Sequence, residues 1–552
     1  MKTGRLKKLF AVVLATALSV SVLAGCGSSS SKSTGSASEA AQELNFNIGS
    51  DLKTLDPALN QAVDGGIVLE NLFEGLYKPD DNMKPVPGIA ESYDLSEDQM
   101  TYTFHLRKDA KWSNGDPVTA GDFEYAWKRV LDPETAAEYA YQMMYLVGAE
   151  EYNAGTGSAD AVGVKATDDY TLEVKLTAPC SYFLDLTSFP CYFPVDKKVV
   201  ESNKDWATKA ESYVSNGPFK LTDYKIKDGM TLEKNDTYYN NKDVTLDKLN
   251  IKFVSDPTSA WASYKAGKFD IVYEVPKAEV PAGKENGSIT IVPLLGTYYY
   301  SVNVTDKVAQ IDPNAAKVLS DKNVRTALNL ALDREAIVNI TKSGKTPATS
   351  FVPVGLPGAD GKDFKDKDYF PAKGDVTKAK QLLADAGYKD GKGFPQIVLL
   401  YNPEKDEHAT IAQAVQQMWK ENLGIDVQLQ SQEWKVFQQT RNDKNFEIAR
   451  DAWVGDYNDP MTFMDMLEAK SGQNNSGYNN PEYDKLVDAA KVETDANKRE
   501  ELLHQAEAML MEDMPVFPIY YDAQPMGIQT YVKGLKNSPL GFMYFDKVTI
   551  EK

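Results

Sequence analysis

Three histidines, three cysteines and a scatter of paired acids are the groups in this 552-residue chain that could do chemistry. His105 lies in a strand pattern, His408 opens a helix pattern and His504 sits within one. None has a second His or a Cys at ligand spacing, and no His-Glu-x-x-His run occurs, so the pattern predicts no metal and no cofactor. Gly344-Lys345-Thr346 has the ending of a phosphate-binding loop, but Asn339 stands where the leading glycine belongs. No Gly-x-Ser-x-Gly turn is present. The pairs Asp456/Asp459 and Asp80/Asp81 have the composition of a hydrolase dyad. Both lie among turn residues, where acids serve the backbone. A binding protein rather than an enzyme is therefore expected, with an exported peptidase or glycosidase as the competing reading.

The acid with the most telling setting is Asp456. Phe446, Ile448 and Ala449 begin an extended apolar segment that runs through Ala452, Trp453 and Val454. It ends in Gly455-Asp456-Tyr457-Asn458-Asp459-Pro460, a turn by composition. A strand that delivers a lone carboxylate to a turn suits the backbone of a peptide and its positive end. The same acid would equally serve as a turn residue bonding its own backbone.

The bulk composition limits the partners. The length calls for two or three domains, and 42 % hydrophobic and 11 % aromatic residues, including thirty Tyr, supply their cores. The formal charge is −20. The first 25 residues hold four of the positive charges and no acid, so the remainder stands at −24. Such a surface repels phosphate backbones and argues against nucleic acid.

Lys2, Arg5, Lys7 and Lys8 precede an apolar run from Leu9 to Ala24, the polarity of an export signal. Leu23-Ala24-Gly25-Cys26 resembles a bacterial lipobox, which makes Cys26 the expected first mature residue and lipid carrier. Residues 1–25 are then a signal peptide and 26–43 a Gly/Ser-rich tether. The body is expected outside the cytoplasm, held to the outer face of the cell membrane by its lipid. Cys180 and Cys191 remain; export permits a disulfide between them, and two buried thiols are the alternative.

The elements that must position these groups follow from periodicity. Leu44 to Ile48, Tyr102 to Trp112, Leu172 to Leu176 and Ile251 to Val254 read as strands, and Phe219 to Lys234 as a hairpin. Thr119 caps a helix over Ala120 to Val130. From about Gly296 the character changes. Helices are predicted over Val324 to Thr341, Val376 to Ala386, His408 to Asn422, Trp434 to Arg441, Tyr483 to Val492 and Ala496 to Asp513. Strands at Ile397 to Tyr401, Ile425 to Gln430 and Pro515 to Tyr521 alternate with them, the pattern of an α/β domain.

Several stretches taken in order resemble solute-binding protein family 5, the extracytoplasmic peptide-binding components of ABC importers, and its oligopeptide-binding branch most. They include TLDPALNQAVDGGIVLENLFEGL, TYTFHLRKDAKWSNGDPVTAGDFEYAWKRVLDP, LLGTYYYSVN, NVRTALNLALDREAIV and QEWKVFQQTRNDKNFEIARDAWVGDYNDPMTF. The resemblance implies a mixed α/β fold of the class-C (type II) periplasmic-binding-protein kind, three domains in two hinged lobes. Domain I would comprise 44–73, 201–295 and 516–552, domain II 74–200 and domain III 296–515. It implies a monomer that encloses short peptides and hands them to ABC importer permease subunits. A receptor for one signalling peptide or another small solute would share the same fold. By the resemblance, Asp456 pairs the ligand's α-ammonium. Ala452, Trp453 and Val454, with Gln61, Ala62 and Val63 opposite, bond its main chain. Arg441, Arg450 and His408 meet ligand carboxylates, and Tyr139 lines the cleft. Some relatives carry a disulfide beside this site where this chain has Gly296 and Val454. Rigidity of the Asp456 loop is therefore expected to come from packing.

Overall fold

The computed structural model describes residues 42–403 and 406–552. The export signal, the tether and Cys26 lie outside the described residues. A large mixed sheet dominates. Its strands in chain order begin with β1 (Glu43–Asn47). A separate antiparallel sheet follows, built from β2 (Ala90–Leu95), β3 (Thr101–Leu106), β4 (Val164–Asp168) and β5 (Thr171–Lys175) in the order β2-β3-β5-β4. The large sheet resumes with β6 (Phe219–Lys225), β7 (Gly229–Lys234), β8 (Lys248–Lys252) and β9 (Ile271–Val272). It continues with β10 (Ile289–Val302), β11 (Thr346–Pro347), β12 (Ile397–Tyr401), β13 (Val427–Ser431), β14 (Ile448–Val454) and β15 (Val516–Ile528).

The order across the large sheet is β13-β12-β14-β10-β15-β9-β1-β8-β7-β6, with β11 beside β15. Two long antiparallel strands, β10 and β15, join a part where β12 runs parallel to β13 and β14 to a part where β1 runs parallel to β8 and β9. Their register shifts between Pro293 and Thr297, where the ladder passes from one part to the other. Leu295 to Val302 is buried at every position. A strand covered on both faces has no alternation to betray it, which is why periodicity misses β10.

Sequence signals fix most other ends. Thr119 and Asp122 form a capping box at the helix Ala120–Leu131. Gly387 and Gly424, at φ 94° and 73°, follow the helices Val376–Asp385 and Asp406–Leu423. Two expectations are corrected. The helix predicted over Val324 to Thr341 is two, Lys322–Leu330 and Arg334–Thr341. Asp333 caps the second by accepting from Ala336 N–H at 2.9 Å, and the buried Arg334 guanidinium donates to Pro518 O and Leu332 O. That side chain needs carbonyls a continuous helix would consume. The strand predicted from Tyr102 to Trp112 ends at Leu106, and Lys111 makes only an isolated bridge to Pro117.

Cys180 and Cys191 are both buried free thiols, so the permitted disulfide is not formed. Cys180 precedes the short helix Phe183–Leu186, whereas Cys191 lies in the turn Pro190–Tyr192 that follows it. Among the described residues no helix is long and apolar enough to cross a membrane, and no cluster of His, Cys, Asp and Glu could hold a metal ion.

Candidate functional site

β14 carries the site because one of its edges is left open. Its ladder with β10 runs its whole length, from Ile448↔Val302 to Val454↔Gly296. On the other edge β12 covers only Ile448 and Ala449. In an antiparallel pair, alternate residues direct both backbone groups to the partner. Gly455 N–H donates to Leu295 O at 2.7 Å, which sets the phase. Trp453 then faces β10, and Ala452 and Val454 turn their carbonyls, and Val454 its N–H, to the open edge. The Ala452 N–H is engaged by Asp451 Oδ1 at 3.0 Å.

Just beyond the strand, Asp456 sits in a loop tied down by hydrogen bonds, ring contact and an ion pair. Its N–H donates to Thr462 Oγ1 at 3.1 Å, and its Oδ2 accepts from the Tyr141 hydroxyl at 2.9 Å. Tyr457 stacks on Tyr182 with centroids 4.8 Å apart and planes 5° from parallel. Asp459 is clasped by Arg499 through two bonds, Nη1 to Oδ2 at 2.8 Å and Nη2 to Oδ1 at 2.7 Å. That bidentate pair removes Asp459 from any dyad with Asp456. Packing and ion pairing thus hold the loop, with Gly296 and Val454 as direct cross-strand neighbours.

Burial pushes the Asp456 carboxyl up to about 6, and the Tyr141 hydroxyl pulls the other way. A carboxylate withdrawn from water with one neutral partner is short of a positive charge. It lines a cavity of about 90 Å³ together with Gln61, Ala62, Val63, Tyr139 and Val454. Gln61 to Val63 lie at the start of the helix α1 (Val63–Leu72), in extended backbone at Ala62. Lys53 Nζ donates to Gln61 Oε1 at 3.0 Å. Tyr139 stacks with Tyr141, centroids 5.5 Å apart, and packs against Phe189 at 5.4 Å with the planes 34° apart.

The remaining sequence-selected residues stand elsewhere. Trp453 is half-buried, and its indole nitrogen has no hydrogen-bond acceptor. Arg450 and His408 meet over one ring: the guanidinium lies 5.1 Å from the Tyr298 centroid and the imidazole 5.8 Å from it. His408 Nδ1 bonds Asn402 O at 3.0 Å. Arg441 is spent inward, on the buried Asp451, which also accepts from Ser301 and Asn475. Residue types alone did not single out Tyr141 or Phe189. Tyr141 carried a usable signal, standing two positions from Tyr139 in the 3₁₀ turn Glu138–Met143.

The arrangement offers a strand edge, a cation-deficient carboxylate and aromatic walls, the means to hold an extended amide chain. Comparison with known proteins accords with this. The family model "Bacterial extracellular solute-binding proteins, family 5 Middle" matches residues 84–475. The oligopeptide-binding protein OppA of Bacillus subtilis is 40% identical, the match covering 98% of this chain and 99% of that protein. The unliganded open form of MppA, a periplasmic murein tripeptide-binding protein, superposes with a TM-score of 0.78 at 34% identity, covering 92% of this chain and 97% of MppA. A peptide-bound OppA from Listeria monocytogenes gives 0.73 at 29% identity, with 93% and 99% covered. The fold is therefore the mixed α/β, two-lobed type II architecture of these binding proteins. On the motifs, the topology and these likenesses together, the chain belongs to the bacterial extracellular solute-binding proteins of family 5.

Proposed function

We propose that this protein is a non-enzymatic, extracytoplasmic receptor that captures short peptides and delivers them to the permease subunits of an ABC importer. The observation that carries the reading is the half-buried, cation-deficient carboxylate of Asp456 at the end of an open strand edge. A peptide laid along Ala452 to Val454 pairs its amides with that edge, and its α-ammonium reaches Asp456. Main-chain pairing is indifferent to side chains, so it gives affinity across many sequences. An enclosed ammonium must be paired, so the acid sets the register. Gln61 to Val63 form the facing wall and Tyr139 the aromatic lining, and Arg441, Arg450 and His408 are the basic groups that would meet ligand carboxylates.

In this reading 44–73, 201–295 and 516–552 form one domain, 74–200 a second and 296–515 the third, and the protein acts as a monomer tethered by lipidated Cys26. Support comes from the family membership and from relatives whose names and structures record oligopeptides as their ligands. The decisive experiment is calorimetric titration with trialanine and with N-acetyl-trialanine. Binding of the first and not the second supports the reading, and equal binding refutes it. Titrating a mixed library separates a general receptor from one for a single signalling peptide or another solute.

A further inference from the structure

Asp456 lines two cavities. Besides the space shared with Gln61 to Val63, it borders a narrow one of about 20 Å³ whose walls include Asp185, Ser188, Phe189 and Glu70. Glu70, Ser188, Pro79 and Tyr544 line in turn a third cavity of about 250 Å³. The spaces therefore adjoin in a line from Asp456 to Glu70 and beyond, and the middle one has room for about one water.

Lys78, Lys536 and Lys547 also line the third cavity, yet among the described residues neither Glu70 nor Asp185 has an ion-pair partner. Glu70 projects from α1 and is 7% exposed, and its Oε1 is buried with no hydrogen-bond partner. Burial pushes its carboxyl up to about 8, against the Tyr544 hydroxyl and Lys536. Lys536 does not pair with it: its Nζ donates to Pro79 O at 2.9 Å and lies 4.2 Å from the Tyr544 ring centroid. Among the described residues Asp185 has no cation within ion-pair distance, and burial and the charge of Asp459 push it up to about 7. A buried carboxyl oxygen without a partner calls for an explanation, and an absent ligand group is one.

We propose that this line of cavities takes the side chain of a lysine at the first position of the bound peptide, its ammonium received by Asp185 and Glu70. The inference rests on the reading of Asp456 as the anchor of the α-amine. With that amine in place the first Cα stands beside Asp456, and its side chain leaves through one of the two adjoining spaces. The narrow one admits an unbranched methylene chain and excludes branched or ring side chains near the backbone. The acids along its walls complement a terminal cation rather than an apolar end.

The test compares Lys-Ala-Ala with norleucine-Ala-Ala, which keeps the chain and removes the charge, on the full-length protein by calorimetry. Lys-Ala-Ala is expected to bind about tenfold more tightly, the worth of one charge-assisted bond. That ratio falls towards unity in Glu70→Gln and in Asp185→Asn. Heats measured in buffers of different ionisation enthalpy should also show more proton release for Lys-Ala-Ala. Equal affinities in the unaltered protein overturn the proposal, as does a ratio unchanged in both variants. Should Glu70→Gln fail to fold, Asp185→Asn and the unaltered protein still decide. Trialanine binding that survives Asp456→Asn would sink the anchor reading instead, so the two failures are distinct.

Discussion

Tyr141 donates its hydroxyl hydrogen to Asp456 Oδ2 at 2.9 Å, joining residues 315 positions apart. This neutral bond is the only direct hydrogen bond to that carboxylate from another side chain among the described residues. It keeps an aromatic wall against the acid without supplying the charge the acid lacks. An arriving ammonium can displace or share it.

Removing the acid should therefore act on binding rather than folding. Asp456→Ala is expected to lose about 3–5 kcal/mol of trialanine affinity, the cost of stripping one partner from a buried pair. Its melting temperature should stay level or rise, because a desolvated carboxylate is relieved. Calorimetry and thermal unfolding measured together check this, and unchanged affinity would remove Asp456 from the site.

The raised carboxyl at about 6 gives a pH dependence with a fixed sign. In the empty protein Asp456 takes up a proton as pH falls through about 6, and a cationic amine must expel it. Affinity should fall about tenfold from pH 7 to pH 5. Stability runs the other way. The folded form binds its proton more tightly than the unfolded chain, so Asp456 favours folding at low pH, and this contribution is lost as pH rises from about 4 to 6. Tyr141→Phe should move the binding midpoint to higher pH, and Asp456→Asn should flatten the profile.

The open edge makes a backbone prediction. The Val454 N–H faces away from β10 by the phase that Gly455 sets. Proline is tolerated in a strand where its missing N–H would have faced outward. Val454→Pro should fold and weaken every peptide by a similar factor, about tenfold for one lost bond. A loss confined to some peptide sequences would contradict main-chain pairing.

Arg441 should also behave as a stabilising residue. Its partner Asp451 is 2% exposed and shared with Ser301 and Asn475. Arg441→Ala leaves that charge buried without its cation, so a loss of about 3–5 kcal/mol in unfolding free energy is expected. Denaturant titration measures it. A stable variant with impaired binding of short peptides would leave Arg441 with the carboxylate role alone.

Gly296 and Val454 occupy a cross-strand position between two hydrogen-bonded pairs, where Cα atoms approach most closely. The double variant G296C/V454C should form a disulfide, seen as the absence of free-thiol labelling beyond that of Cys180 and Cys191. A Cβ at 296 would stand 3.0 Å from that of Asp522, so a small shift of β15 is required. The bridge should raise the melting temperature and leave peptide affinity within about threefold.

Much of this molecule is legible in its residues. Caps such as Thr119, stops such as Gly387 and Gly424, and the strand ending at Asp456 are local signals, because side-chain bonds and φ preferences act over a few positions. The density of family motifs carries the architecture as well. What residue order leaves open is set by contacts between distant segments. Both faces of β10 are covered, so no periodicity marks it. Cys180 and Cys191 are left as buried free thiols, one before and one after the short helix Phe183–Leu186. Arg441 turns inward because Asp451 is buried beside it, and Glu70 is left without an ion-pair partner because Lys536 bonds Pro79 instead. Charge is written in the sequence, but which charge goes unpaired is decided only when the chain closes around it.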